Sequence, residues 1–177
     1  MSSFGRRRCV FLDRDGVINE ALVRGGKAFS PRSREEFVIT PEVGTAIQHL
    51  KQNDFCVIVV TNQPDIARGK LPQTDLDWMT GEVLGLSGID EVMVCPHDEA
   101  DNCCCRKPKP GMLLGGAEKW GIDLAESYLI GDSWKDMGAG QHAGCTCILL
   151  DRSYNQDAQC DYRVENLNEA VQIILNT

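Results

Sequence analysis

No stretch of this sequence is apolar over the ~20 positions that a membrane-spanning helix needs, and the N-terminal segment lacks the apolar run of a secretory signal. The expected setting is therefore the cytoplasm, with no membrane partner. Positive charge is also scarce. Eighteen Lys and Arg face 26 Asp and Glu, for a net charge of -8. Such a chain repels phosphate backbones, so no nucleic-acid partner is expected, and any phosphorylated ligand would need positive charge gathered locally. The run Arg6-Arg7-Arg8 precedes a strand and reads as a solvated terminal segment.

Cysteine, by contrast, is plentiful, with nine in 177 residues. In an unexported chain they point to metal binding or burial before disulfides. With 42% apolar and 25% charged residues, the composition is that of a globular protein able to bury a core without cross-links. One domain spanning residues 1–177 is expected, and a monomer.

Short apolar runs alternate with longer amphipathic ones. Cys9 to Leu12, Phe55 to Val60, Glu91 to Cys95, Ser127 to Ile130 and Cys145 to Leu150 read as buried strands. The first helix is expected to start with Thr40 as N-cap and Pro41 as first helical residue, and to reach about Gln52. Others are expected over Thr74 to Leu86, Gly111 to Trp120, Trp134 to Ala143 and Leu167 to Leu175. Gly25-Gly26 and Ser30-Pro31-Arg32-Ser33 read as loops. This alternation predicts an α/β fold with a mainly parallel sheet covered on both faces, and leaves no insertion large enough for a cap domain. In such sheets ligands bind beyond the carboxyl ends of the strands. Polar residues fall at those ends: Asp13 and Asp15, then Thr61 and Asn62, then a Cys/His cluster, then Asp132.

Asp13-Arg14-Asp15-Gly16 ends an apolar strand in D-x-D-G. Buried carboxylates need a cation or a partner. Asp13 could attack phosphorus and Asp15 could shuttle the proton, with like charge nearby raising the proton affinity of one of the pair. Asp132 adds a third carboxylate at a strand end, and Asp136 falls four residues on. Either of those two, taken alone, reads first as a cap or turn former. Together the carboxylates call for a hard, oxygen-bound cation, best met by Mg2+ on Asp13, Asp15 and Asp132.

Thr61, Asn62 and Gln63 offer a hydroxyl and two amides to an anion, although Thr61 could equally cap the next helix. Arg68 could reach a second anionic group or form a surface ion pair. Arg106-Lys107-Pro108-Lys109-Pro110 is the densest basic stretch. Lys107 would be a point charge and Arg106 a planar fork for phosphate oxygens; by itself the stretch also fits a solvated loop.

Cys95-Pro96-His97 followed by Cys103-Cys104-Cys105 has the pattern of a closed structural zinc site on Cys95, His97, Cys103 and Cys105, in a loop covering about residues 95–108. Cys104 should point away, because alternate residues of an extended segment diverge. Cys145 and Cys147, like Cys9 and Cys56, read as core. His49 and His142 receive no role, and Trp78, Trp120 and Trp134 read as packing residues before substrate platforms, with Trp134 close to Asp132.

The segments F-L-D-R-D-G-V-I-N at 11–19, V-V-T-N-Q at 59–63, C-R-K-P at 105–108 and I-G-D at 130–132 together resemble the haloacid-dehalogenase-like phosphatases. The likeness is strongest to the capless branch of D-glycero-D-manno-heptose 1,7-bisphosphate 7-phosphatases and histidinol-phosphate phosphatases. The resemblance implies a Rossmann-like three-layer sandwich and a Mg2+-dependent phosphatase. It implies Asp13 as nucleophile, Asp15 as proton donor, and magnesium on Asp13, the Asp15 backbone carbonyl and Asp132. Thr61, Arg106 and Lys107 would steady the phosphoryl group, with Asn62, Gln63 and Arg68 as further substrate contacts. D-G-V-I-N at 15–19, Asn62-Gln63 leading to Ile66-Ala67-Arg68-Gly69, and K-P-G-M-L at 109–113 are more similar to the heptose enzymes, which implies a phosphorylated sugar substrate in lipopolysaccharide, capsule or other glycan precursor synthesis. The alternatives are a histidinol-phosphate or other small-metabolite phosphatase, and a zinc-stabilised binding module without catalysis. The joint presence of Asp13, Asp15, Lys107 and Asp132 stands against the last.

Overall fold

The computed structural model describes residues 7–177, so Arg6 of the basic run lies outside it. In chain order the elements are β1 (Cys9–Leu12), β2 (Leu22–Arg24), β3 (Lys27–Phe29), α1 (Val43–Gln52), β4 (Cys56–Asn62), α2 (Gln73–Leu84), β5 (Glu91–Cys95), α3 (Gly111–Trp120), β6 (Tyr128–Gly131), α4 (Trp134–Ala143), β7 (Thr146–Leu150), β8 (Tyr162–Val164) and α5 (Leu167–Asn176). Six strands form one sheet in the order β5-β4-β1-β6-β7-β8, with every neighbouring pair parallel.

The alternation along β1 sorts the layers. Val10 and Leu12 face a core shared with α1, α2 and α5, through residues such as Ile47, Met79 and Val171. Cys9 and Phe11 face the opposite side, against Leu113 of α3 and Ala139 of α4. Both faces of β1 are therefore dry, which is why its four residues are apolar without exception. Each such fully buried large side chain contributes about 1.5–3 kcal/mol by leaving water. Among the described residues no helix is long and apolar enough to cross a membrane.

The architecture is the expected three-layer α/β sandwich, with no cap layer evident among the described residues. Two details differ. Helix α1 begins at Val43, with Glu42 at the cap position, and not at Pro41. The backbone N–H of Thr40 donates to Ile18 O at 2.9 Å, and Ile39 bridges Asn19. That pairing holds the segment extended, so helical dihedrals start later. The hairpin β2–β3 and the edge strand β8 carry no sustained apolar alternation; exposed or half-buried residues dominate both. Gly25 and Gly26, at φ +56° and +72°, form the hairpin turn.

Candidate active site

After β1 the chain forms β4 and β5 on one side of it, then crosses to β6 on the other. Leu12 is in register with both Val59 and Ile130. The residues that follow these strands therefore emerge together, at the point where the strand order switches. Gly16 takes φ +89°, and a Cβ there would run into the carboxylate of Asp132. The D-x-D turn and the end of β6 thus approach too closely for any other residue.

Carboxylate oxygens of Asp13, Asp132 and Asp136 lie within 4.8 Å of one another, and all three residues are buried. Lys107, also buried, reaches in from the loop before α3. Its Nζ donates to Asp13 Oδ1 at 2.8 Å, to Asp136 Oδ1 at 2.5 Å and to the Val60 carbonyl at 2.8 Å. With all three carboxylates ionised, one ammonium would leave two negative charges uncompensated. The proton affinities register this. Burial, then the charge of Asp136, pushes Asp13 well above the usual carboxylate range, against the pull of Lys107. Burial and Asp136 push Asp132 up to about 7. Burial opposes the Lys107 ammonium, but Asp13 and Asp136 outweigh it and hold its pKa above the ordinary value. Lys107→Met, which strands Asp13 and Asp136 in a dry site, is expected to cost about 3–5 kcal/mol of stability in urea denaturation.

Asp136 has two jobs. Its Oδ2 accepts from the N–H and Oγ of Ser133, closing a capping box at the start of α4, while its Oδ1 takes Lys107. The cap reading from sequence is thus correct but incomplete.

Asp15 turns away from this cluster. Its Oδ1 accepts from Arg14 Nε and Nη2 at 3.0 and 2.8 Å and from Asn19 Nδ2 at 3.0 Å; its Oδ2 accepts from Gln63 Nε2 at 2.9 Å. Burial alone would raise its pKa, but Arg14 and the hydrogen bonds of Ser30 and Gln63 bring it below the usual value. Of the D-x-D pair, the carboxylate with the raised proton affinity is Asp13 and not Asp15, and Asp132 is raised with it. Arg14, fully buried and over the ring of Phe37, is the partner that sequence reading missed.

The other predicted residues divide into those facing the cleft and those behind it. Thr61 and Gln63 are buried, joined by a hydrogen bond from Gln63 Nε2 to Thr61 Oγ1 at 2.9 Å. Asn62 lines the cleft, and its amide brackets the backbone of Lys107, donating to its carbonyl and accepting from its N–H, both at 3.0 Å. The cavity measures about 480 Å³, within the usual range for small ligands. Asp13, Asp15 and Asp132 share its lining with Arg32, Arg68, Lys70, Arg106, Lys107 and Lys135. Arg32 is paired with Asp65 at 2.6 Å, and Arg68 with Asp98 at 2.5 Å. Lys70, Arg106 and Lys135 have no ion pair among the described residues. Trp134 is 59% exposed on the rim, which corrects its reading as a packing residue.

The Cys/His cluster forms beside this rim. Sγ of Cys95 lies 3.6 Å from Cys103 and 3.1 Å from Cys105, and 3.7 Å from His97 Nδ1; Cys105 lies 3.5 Å from Cys103 and 3.4 Å from His97 Nδ1. Sulfurs held about 2.3 Å from a tetrahedral metal are spaced about 3.8 Å apart. The four donors are thus close to that arrangement, and their soft S and N chemistry fits zinc. Cys104 is exposed and outside the set. Cys105 directly precedes Arg106 and Lys107, so the cluster sits in the loop that delivers both. Cys9, Cys56, Cys145 and Cys147 are buried.

Comparison with known proteins places the chain in a family. The HAD-hydrolase-like family model matches residues 104–171. D-glycero-beta-D-manno-heptose-1,7-bisphosphate 7-phosphatase of Bordetella bronchiseptica is 37% identical over 148 residues, 81% of this chain and 80% of that protein. The enzyme of the same name from Escherichia coli K12 is 35% identical over 156 residues, 81% of this chain and 78% of its own. The D-glycero-alpha-D-manno-heptose-1,7-bisphosphate 7-phosphatase of Photorhabdus laumondii is 34% identical over 157 residues, covering 81% and 82%. Among solved structures, the D,D-heptose 1,7-bisphosphate phosphatase of B. bronchiseptica complexed with magnesium and phosphate superposes with a TM-score of 0.82 at 30% identity, over 96% of this chain and 98% of that one. With more than a third of the aligned residues shared with such relatives, and the same fold in a solved structure, the chain belongs to the HAD-like hydrolases, in the group that contains the heptose 1,7-bisphosphate 7-phosphatases.

Proposed function

We propose that this chain is a magnesium-dependent phosphatase, one catalytic domain over residues 1–177, that removes the 7-phosphate of a D-glycero-D-manno-heptose 1,7-bisphosphate through a phospho-aspartate on Asp13. Cytoplasmic glycan-precursor synthesis is the matching role. The observation that carries the reading is the convergence of three buried carboxylates, Asp13, Asp132 and Asp136, with one ammonium, Lys107. Hard oxygen donors in that number fit Mg2+ on Asp13, Asp132 and the backbone of Asp15, and the soft cluster at Cys95, His97, Cys103 and Cys105 fits a structural zinc. The magnesium and phosphate named with the Bordetella structure support the same assignment. Magnesium, when bound, neutralises charge on the phosphoryl oxygens.

The residues supply the rest. Lys107 Nζ and the Arg14 N–H, both at 2.8 Å, occupy Oδ1 of Asp13 and leave Oδ2 without a donor among the described residues. Oδ2 bonds to phosphorus as the ester oxygen departs and takes a proton from Asp15. Asp15, now a carboxylate, takes a proton from water. That oxygen attacks phosphorus, the bond to Asp13 breaks, and inorganic phosphate leaves. In the free protein Arg14 keeps Asp15 as the base; the negative charge of an arriving phosphate ester favours the protonated form that the first step requires.

A substrate panel tests the reading. Heptose 1,7-bisphosphate should be hydrolysed at least about tenfold more efficiently than histidinol phosphate or p-nitrophenyl phosphate; equal turnover of all three would leave a broad-range phosphatase instead. Loss of one charge-assisted contact is worth about 1.5–3 kcal/mol. Arg106→Ala and Lys135→Ala are therefore expected to raise KM for the bisphosphate about tenfold, and Arg68→Ala less, since Asp98 and Asp65 already hold that guanidinium.

A further inference from the structure

Asp132 is steadied differently from the other two carboxylates of the cluster. Asp13 and Asp136 are both held by Lys107 and by a neighbour on their own chain segment. Asp132 has a single side-chain donor to its carboxylate among the described residues, Tyr154, whose Oη lies 2.5 Å from Oδ2. Tyr154 sits in the loop between β7 and β8. The next residue, Asn155, is buried and grips the backbone of the same aspartate: its Nδ2 donates to the carbonyls of Asp132 and Leu150, each at 2.8 Å.

The loop itself is anchored. Asn155 Oδ1 accepts from the Arg152 N–H at 3.0 Å and from Arg163 Nη1 at 3.2 Å. Arg163, on β8, also donates to the carbonyls of Asn155, Gln156 and Ala158 and pairs with Asp151. Asp132 is thus pinned at its backbone by Asn155 and at its carboxylate by Tyr154, with Gly16 packed against the same carboxylate. Burial, and then the charge of Asp132, raises the phenol pKa, so the hydroxyl stays protonated and donating. An O–H to carboxylate bond of this length is of the strong, charge-assisted kind.

We propose that Tyr154 is a positioning residue for the divalent cation: by holding Oδ2, it fixes the carboxylate rotamer that Asp132 would present to the metal. The inference rests on the magnesium reading above. It also gives the β7–β8 loop, outside every segment that carried the resemblance, a part in building the site. Hydrogen-bond partners that orient a metal ligand typically matter by about 10–100-fold in metal affinity.

The test is calorimetric titration of Mg2+ into the zinc-loaded wild-type protein and into Tyr154→Phe, Asp13→Asn and Tyr162→Phe. The phenylalanine keeps the ring and removes only the hydroxyl. Tyr162, exposed on β8, serves as the control. Tyr154→Phe should bind Mg2+ about tenfold or more weakly, with Tyr162→Phe like wild type and kcat restored when Mg2+ is saturating. Affinity equal to wild type overturns the inference, and so does a kcat loss that saturating Mg2+ leaves in place. Identical isotherms for wild type and Asp13→Asn would instead remove the magnesium site itself, and the role of Tyr154 with it.

Discussion

Asp13→Asn should lose phosphatase activity by about 10⁴–10⁶-fold, the scale on which removal of a covalent nucleophile acts. The amide matches the carboxylate in shape, so Lys107 and the Arg14 N–H can keep their contacts to the side-chain oxygen. What disappears is the charge and the nucleophilic Oδ2. Stability should change far less than activity, because the substitution also relieves one of three crowded carboxylates whose burial raises the proton affinity of this residue. Steady-state assays at saturating Mg2+, beside thermal melts, separate the two effects. Residual turnover within about tenfold of wild type would mean that Asp13 does not carry the phosphoryl group.

The second large effect concerns the cluster at Cys95, His97, Cys103 and Cys105. Protein prepared without added metal should contain one equivalent of zinc, and Cys105→Ser should abolish it. Zinc binding contributes about 10–16 kcal/mol in small folded peptides. If only about 4 kcal/mol of that is coupled to this larger fold, the melting temperature falls by roughly 8–16 °C on removal. Activity should fall too, because Cys105 adjoins Arg106 and Lys107, and Lys107 is the ammonium that Asp13 and Asp136 require. Metal analysis that finds no zinc, with melts unmoved by chelator, would leave the four side chains as an ordinary thiol cluster.

Much of this fold is legible in the sequence because a central parallel strand must be apolar on both faces. Cys9 to Leu12 and Glu91 to Cys95 have the expected bounds, and the other three predicted strands shift by only one or two residues at an end. Where burial is one-sided or absent, as in β2, β3 and β8, no such pattern exists to read. The start of α1 was hidden for another reason: Thr40-Pro41 has good local capping chemistry, but a long-range backbone bond to Ile18 overrides it.

The site divides in the same way. D-x-D-G, the basic stretch and the C-x-H and C-x-C pairs are local patterns; the fold brings the first two to one cleft and gathers the Cys and His side chains into a cluster that Cys105 joins to the basic stretch. Partnerships are not local. That Arg14 would be buried on Asp15, that Gln63 would donate to that carboxylate and Asn62 clasp Lys107, and that Tyr154 would reach back 22 positions to Asp132 depend on tertiary packing. Asp136 carried a faint signal in its spacing of four from Asp132, but its ion pair with Lys107 could not be read from either residue.

The central claim is a covalent bond between phosphorus and Asp13, and chemical trapping addresses it directly. Acid-quenched enzyme, mixed briefly with heptose bisphosphate and Mg2+, is reduced with borohydride, which converts an acyl phosphate on aspartate to homoserine. Peptide mass spectrometry should find homoserine at position 13, dependent on substrate and absent from Asp13→Asn. Homoserine at another aspartate, or none at all in enzyme that turns substrate over, would contradict it.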